Sequence, residues 1–82
     1  MKPEEFSNMS NTERLKALIE DGQELMGRIY LNYIIKLFKL HDFYVEVWYR
    51  QLSNSVDKIM VVNMDDVIHL YEQQIDITDL FK

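Results

Sequence analysis

The alternation of apolar and polar residues is clearest between residues 43 and 50, where the sequence reads F-Y-V-E-V-W-Y-R. A period of two is the signature of a β-strand with two different faces. The first face carries Phe43, Val45, Val47 and Tyr49. The second face carries Tyr44, Glu46, Trp48 and Arg50. A polar stretch over residues 51–56 follows, and residues 57–62 (D-K-I-M-V-V) predict a further strand.

Helical spacing occurs on both sides of these strands. Ser10 followed by Glu13 matches a capping box, in which each side chain satisfies a free backbone N–H of the other residue. Apolar residues then recur at i, i+3 and i+4 through Gly22, which predicts an amphipathic helix over residues 11–26 with Gly27 as its stop. Asn63 predicts the cap of a second helix, because Asp65 and Asp66 follow where the helix dipole favours negative charge.

Residues 28–40 (R-I-Y-L-N-Y-I-I-K-L-F-K-L) fit a helical period and a strand period equally well. A continuous helix from residue 11 to residue 40 would be longer than most helices of globular proteins. β-branched and aromatic residues dominate the segment, and these residue types favour strands. We therefore interpret residues 28–40 as a strand, with the helix as the alternative. Residues 41 and 42 would make a tight connection to the next strand, although a longer loop is the alternative.

These elements predict an α+β fold with a three-stranded antiparallel meander and an N-terminal and a C-terminal helix on one face. A four-stranded sheet is the alternative. Short links between successive strands favour this topology over crossovers. We expect residues 1–9 to be disordered and residues 10–82 to form a single domain, because 82 residues leave no room for a second one.

The composition and net charge of the chain argue against several classes of function. Nine basic and fourteen acidic residues give a net charge of −5, which does not attract nucleic acid or an anionic membrane in bulk. No apolar run approaches the ~20 residues of a membrane span, and the start of the chain lacks the pattern of a signal peptide. Without cysteine, disulfides and thiolate chemistry are excluded. We expect a cytoplasmic protein.

The aromatic residues supply the main functional hypothesis. Seven of the ten lie between residues 30 and 49. If the first face of the 43–50 strand packs on the helices, the second face stays open, with Tyr44 and Trp48 as anchors and Glu46 and Arg50 at the rim. This predicts a non-enzymatic interaction module, a homodimer through the open sheet face or edge, or a complex with another protein. Ordinary cross-strand pairing of the same rings is the structural alternative.

A second hypothesis uses the same face to bind single-stranded nucleic acid. Aromatic rings would stack on bases, and five basic residues would supply charge: Arg28, Lys36, Lys39, Arg50 and Lys58. Glu46 in the middle of the face and the acidic total charge disfavour this partner.

Catalytic motifs are missing from the sequence, so we expect no enzyme and no cofactor. The two glycines lie too far apart for a phosphate loop, and neither a G-x-S-x-G nor an H-E-x-x-H motif occurs. His69 has Asp65 at i−4 and Glu72 at i+3, which could form a minor metal-binding or hydrolytic site. A solvated helix surface explains the same trio, so we assign no metal.

Three segments resemble a group of short uncharacterised bacterial proteins. They are F-Y-V-E-V-W-Y-R at residues 43–50, I-M-V-V at residues 59–62 and L-Y-E-Q-Q-I-D-I-T-D-L at residues 70–80. The resemblance covers the second half of the chain. It implies a small α+β domain and carries over no activity, substrate or catalytic residue.

Overall fold

Four strands lie side by side in the order in which they occur along the chain. The computed structural model describes the backbone of residues 1–79 and the side chains of residues 1–71. The strands are β1 (Gln23–Tyr30), β2 (Tyr33–Leu40), β3 (Phe43–Arg50) and β4 (Ser55–Val62), each antiparallel to the next. The helices are α1 (Pro3–Ser7), α2 (Asn11–Asp21) and α3 (Met64–Asp79). The predicted α+β class with an antiparallel meander is confirmed, and the sheet has four strands.

Residues 22–40 differ most from the prediction. α2 ends at Asp21, and residues 28–40 form parts of two strands joined by residues 31 and 32. Gly22 ends the helix, because a Cβ there would lie 2.6 Å from the carbonyl oxygen of Leu18 while the chain turns into an extended conformation. Gly27, the predicted helix stop, lies inside β1. Leu25 and Met26 have the spacing of a helix, but strand pairing across the β1–β2 hairpin determines their conformation.

The first residues are also more ordered than predicted. Instead of a disordered segment over residues 1–9, the chain forms α1, and Phe6 is fully buried. Its ring packs edge-on against that of Phe43, with 5.7 Å between the ring centroids. Burial of this ring removes apolar surface from water, and Arg14 also donates hydrogen bonds to the carbonyl oxygens of Phe6 and Ser7, so several contacts hold α1 in place.

Both predicted helix caps are present. The Ser10 hydroxyl accepts a hydrogen bond from the Glu13 backbone N–H at 3.2 Å, and the Glu13 carboxylate accepts one from the Ser10 N–H at 3.0 Å. The hydrogen bond from the Ser10 backbone N–H, and then one from the Ser10 side chain, lower the pKa of the Glu13 carboxyl. At the start of α3, the Asn63 side-chain oxygen accepts a hydrogen bond from the Asp65 N–H at 3.0 Å. Side-chain oxygens satisfy donors that have no partner within either helix.

The helices lie on opposite faces of the sheet, which corrects the prediction that they share one face. Phe6 and Leu18 pack with Phe43, Val45 and Val47, so we call this side the α1–α2 face. The alternate β3 residues point to the other side, the α3 face, where Tyr71 of α3 contacts Glu46. The reason lies in β2, which buries Leu40 on the first face and Ile35 and Leu37 on the second. Two apolar faces require a cover on each side.

Candidate functional site

The four residues predicted to form a binding surface share one face of β3, as their alternation indicated. They belong to the α3 face, and their exposure differs along the strand. Glu46 is buried, Tyr44 and Trp48 are half-buried, and Arg50 is exposed. The face is therefore partly covered, and the contacts of each residue decide what it can do.

Glu46 is an internal residue, with only 3% of its surface exposed, which corrects its assignment to the rim of an open face. One carboxylate oxygen accepts a hydrogen bond from the Tyr71 hydroxyl at 2.8 Å and contacts the Arg28 guanidinium at 3.4 Å. The other oxygen accepts a hydrogen bond from the Trp48 indole N–H at 3.2 Å. These three partners compensate the charge that burial would otherwise penalise.

Arg28 completes this cluster from β1. Its side chain is only 10% exposed, and its guanidinium lies 5.3 Å from the ring centroid of Tyr71 and 5.5 Å from that of Trp48. Its Nε has no hydrogen-bond partner among the described residues. Burial, together with the hydrogen bond to Glu46 and its negative charge, raises the pKa of Tyr71. The Arg28–Glu46–Trp48–Tyr71 cluster thus joins β1, β3 and α3.

Trp48 is less available as an anchor than predicted. The Lys58 ammonium lies 4.1 Å from its ring centroid, and Arg28 also packs on the ring. The edges of Tyr30 and Tyr33 contact it at centroid distances of 6.1 and 5.2 Å. These are the cross-strand and cation–π contacts that the structural alternative predicts.

Arg50 lies at the end of β3 and contacts side chains of both neighbouring strands, β2 and β4. Its guanidinium donates a hydrogen bond to the Tyr33 hydroxyl at 2.9 Å and forms an ion pair with Asp57 at 3.3 Å. These contacts raise the pKa of Arg50, with the Tyr33 hydrogen bond as the largest cause. Because this group is exposed, the pair adds little to stability.

The basic residues of the nucleic-acid hypothesis do not form one surface. Arg28 is buried against Glu46. Lys36 lies on the α1–α2 face, opposite Val47, and pairs with Glu24 at 3.3 Å. Only Lys39, Arg50 and Lys58 remain as exposed cations on the same face as Trp48.

An open apolar surface lies on the opposite side of the sheet. α1 and α2 cover only part of the α1–α2 face and leave a cleft of about 360 Å³. Its lining comes from one helix residue and three strands: Leu15, Ile34, Lys36, Phe38, Val47, Tyr49 and Val56. At its end, a row of paired residues crosses all four strands: Ile29, Ile34, Tyr49 and Val56. We call this cleft with its row the open apolar surface.

Sequence reasoning missed this surface because it placed Ile29 and Ile34 in one strand. The two residues are directly opposite each other across the β1–β2 hairpin. The sequence did contain a signal for this surface. Residues 29–38 carry more apolar side chains than one short helix can cover.

The two edges of the sheet differ. Along β4, Arg14 donates a hydrogen bond to the Ile59 carbonyl at 2.7 Å, and α1 and α2 pack against the strand. Arg14 also bonds the carbonyl oxygens of Phe6 and Ser7. In the part of the chain that the structure describes, no backbone hydrogen bond reaches the outer side of β1. Because α3 packs against β1, the two edges differ in the hydrogen bonds made by the described residues and not in having a helix beside them.

The possible metal site at His69 gains no support. Within the described residues, no three His, Asp or Glu side chains come together in a way that could hold a metal ion. Asp65 and His69 lie on α3, and the side chain of Glu72 is outside the described residues.

Comparison with known proteins finds no matching family model, no matching curated protein and no matching solved structure. The resemblance to short bacterial proteins therefore stays a prediction. Of the described helices, none has the length and apolar character needed to cross a membrane.

Proposed function

We propose that this chain is a non-enzymatic interaction module that associates with a second copy of itself through the open apolar surface. The observation that carries the proposal is the uninterrupted apolar row from Ile29 to Val56 across the sheet. A chain of this size buries only about 60–65% of its unfolded surface, so such a face is expected to find a cover.

The extent of the row favours a second copy over a small apolar ligand. The row continues beyond the cleft to Ile29 on β1, which is 62% exposed and does not line the cleft. A second copy stacked face to face would cover both apolar rows at once, because a twofold interface brings the same surface of each copy together. An apolar ligand in the cleft would leave Ile29 exposed.

Sedimentation equilibrium of the purified protein over a micromolar range tests the proposal. The wild type is expected to be a dimer, and Ile34→Glu should weaken it by at least about tenfold, because a charge would be buried at the interface. Leu52→Glu is the matched control, since Leu52 is an exposed apolar residue in the β3–β4 loop, away from the open apolar surface. A monomer at every concentration contradicts the proposal, and so does an equal effect of the control.

Binding of single-stranded nucleic acid is the alternative, and it has less support. The Lys58 ammonium and the Arg28 guanidinium lie 4.1 and 5.5 Å from the Trp48 ring centroid, so they compete with a base for stacking on this ring. Titration with a labelled oligonucleotide at low and moderate salt separates the two proposals. Salt-sensitive binding that Lys58→Glu abolishes would favour nucleic acid.

A further inference from the structure

We infer that this protein binds the surface of neutral, zwitterionic lipid bilayers through the two connections at one end of its sheet. The connections are residues 31–32, between β1 and β2, and residues 51–54, between β3 and β4. We call these residues, together with the flanking Tyr30, the hairpin end. Lipid binding goes beyond the proposed function and does not depend on it.

The hairpin end carries two of the most exposed apolar side chains among the described residues. Leu31 is 76% exposed and Leu52 is 81% exposed. Their connections are neighbours, because the strands alternate in direction and the Gln51 N–H donates a hydrogen bond to the Asn32 carbonyl oxygen at 2.9 Å. Tyr30, which is 50% exposed, flanks them. Single exposed apolar residues need no explanation, but several at one place mark an interaction site.

The backbone of Leu31 supports a role for its exposed side chain outside the folded chain. Its φ of 53° is left-handed, which is unfavourable for a large side chain. The side chain recovers little of this cost by packing, and it does not line the cleft on the α1–α2 face. Strained residues that a fold retains are concentrated at functional sites. We therefore expect burial of Leu31 in an apolar phase to offset the cost.

The charges of the described residues are segregated along the strand direction. Residues 29–34 and 49–56, which form the hairpin end and the strand residues next to it, contain one charged residue, Arg50. The opposite end of the sheet is formed by the end of α2, the β2–β3 connection and the start of α3. The exposed carboxylates there, which we call the acidic end, are Asp21, Glu24, Asp42, Asp65 and Asp66. Because each strand has eight residues, the two ends lie about 25 Å apart.

This segregation orients the molecule at a lipid surface. The two leucines can enter the boundary between headgroups and acyl chains while the acidic end stays in water. Tyr30 adds a ring with a polar hydroxyl, a residue type that is enriched at membrane–water interfaces. The net charge of −5 is repelled by anionic headgroups, which selects a neutral bilayer.

The size of the hairpin end favours lipid over a protein partner. Its two connections comprise six residues, whereas a specific protein interface uses about 20–30 residues on each side. Insertion into a bilayer needs no complementary surface, since its strength depends on the apolar area that is buried.

Co-sedimentation with vesicles of pure phosphatidylcholine tests the inference. The wild type is expected to bind reversibly at millimolar lipid. Leu31→Asn and Leu52→Asn should each weaken binding by about tenfold, because each removes a leucine from the acyl boundary. Ile19→Asn is the matched control, since Ile19 is also 76% exposed but lies in the last turn of α2, next to the acidic end. Its binding should stay within about twofold of wild type, because Ile19 does not enter the bilayer.

Urea denaturation of the same variants separates binding from folding. Leu31→Asn should show no loss of stability, because Asn adopts a left-handed conformation more readily than Leu. Weaker lipid binding by a variant that is at least as stable as wild type then comes from the lost leucine side chain. Binding losses that follow losses of stability across the three variants would overturn the inference.

A single fluorescent label tests the orientation. The chain has no cysteine, so Leu52→Cys and Asp42→Cys can each carry one environment-sensitive fluorophore. On addition of phosphatidylcholine vesicles, emission of the label at position 52 should shift to shorter wavelength. The label at position 42, which is exposed in the β2–β3 connection, should show no shift. Vesicles that also contain phosphatidylserine should bind more weakly at low salt, because their charge repels the acidic chain.

Three outcomes overturn the inference. They are a wild type that stays in the supernatant at every lipid concentration, which would favour a protein partner, an equal effect of the Ile19→Asn control, and tighter binding to vesicles with phosphatidylserine. An equal shift at both label positions would overturn the orientation on which it rests. The proposed dimer is measured without lipid, so it can fail while lipid binding stands, and the reverse.

Discussion

Leu31 has a positive φ angle, a backbone conformation that is unfavourable for a residue with a large side chain. It is the first residue of the two-residue β1–β2 connection, and its φ is 53°. A left-handed conformation costs an L-residue with a bulky side chain about 1–2 kcal/mol, whereas Asn adopts it more readily. The Leu31 side chain is 76% exposed and therefore recovers little of this cost by burial.

We therefore expect Leu31→Asn to raise the free energy of unfolding by about 0.5–1 kcal/mol, because it relieves part of the left-handed penalty. Urea denaturation at neutral pH measures the change. Leu52→Asn is the control, since Leu52 is 81% exposed and has no positive φ, and its effect should be close to zero. An equal gain in both variants would show that loss of an exposed apolar side chain, and not the turn, is responsible.

Tyr71 gives the protein a predictable response to alkaline pH. Burial, and then the hydrogen bond to Glu46 and its charge, raise the pKa of Tyr71 above the value of about 10 that the phenol has in an unfolded chain. The folded state therefore holds this proton more strongly. The resulting stability is fully present below about pH 10 and is lost as the pH rises further.

Comparison of wild type with Tyr71→Phe isolates this effect. At neutral pH the variant should be less stable by about 1–3 kcal/mol, because it lacks the hydrogen bond to a charged acceptor. Above about pH 10 the wild type should lose stability more steeply than the variant, so the two curves converge. Chemical denaturation at several pH values measures both curves, and parallel curves would contradict the expectation.

At the scale of elements, Arg14 connects α2 to α1 and to the edge of β4. Its guanidinium bonds carbonyl oxygens of Phe6, Ser7 and Ile59. We expect Arg14→Met to lower the free energy of unfolding by about 1–3 kcal/mol, because three carbonyl groups lose a charged donor. It should also increase aggregation, since the β4 edge loses its cover. Urea denaturation and light scattering measure the two effects.

Lys16→Met is the matched control for Arg14. Lys16 lies on the same helix, is exposed, and forms a surface ion pair with Glu20. The control should change stability by less than about 0.5 kcal/mol. Equal destabilisation by both substitutions would contradict the assigned role of Arg14.

The elements that sequence reasoning predicted well are those with a local signal. The period of two in β3, the capping box of α2 and the Asn63 cap of α3 each depend on residues close together in sequence. The β1–β2 hairpin was missed because its turn, Leu31-Asn32, lacks the glycine that favours tight hairpins. The hairpin is stabilised by strand pairing across the sheet and not by its turn residues.

The same distinction applies to the candidate site. Alternation correctly placed Tyr44, Glu46, Trp48 and Arg50 on one face, but it could not show that Glu46 is buried. The partners of Glu46 lie 18 residues before it, at Arg28, and 25 residues after it, at Tyr71. Only the hairpin topology and the side on which α3 packs bring them together. Contacts between residues so distant in sequence leave no periodic signal.

At the scale of the whole molecule, the sheet separates two packed layers. The α1–α2 face contains the apolar core around Phe6, Leu18 and Val45, whereas the α3 face contains Ile35, Leu37 and the Arg28–Glu46–Trp48–Tyr71 cluster. β3 contributes alternate residues to both layers, so neither layer can lose its packing without affecting the strand that they share. We therefore expect the two layers to unfold together.

Ile59→Val tests this cooperativity, because Ile59 is buried in the α1–α2 core while the single tryptophan, Trp48, reports on the α3 face. Loss of one buried methylene group should lower the free energy of unfolding by about 1 kcal/mol. Trp48 fluorescence and far-UV circular dichroism should show the same shift. Met60→Leu, next in sequence and on the α3 face, should change neither. If fluorescence is unaffected while the dichroism transition moves, the layers unfold separately, and the Arg28–Glu46–Trp48–Tyr71 cluster has a stability of its own.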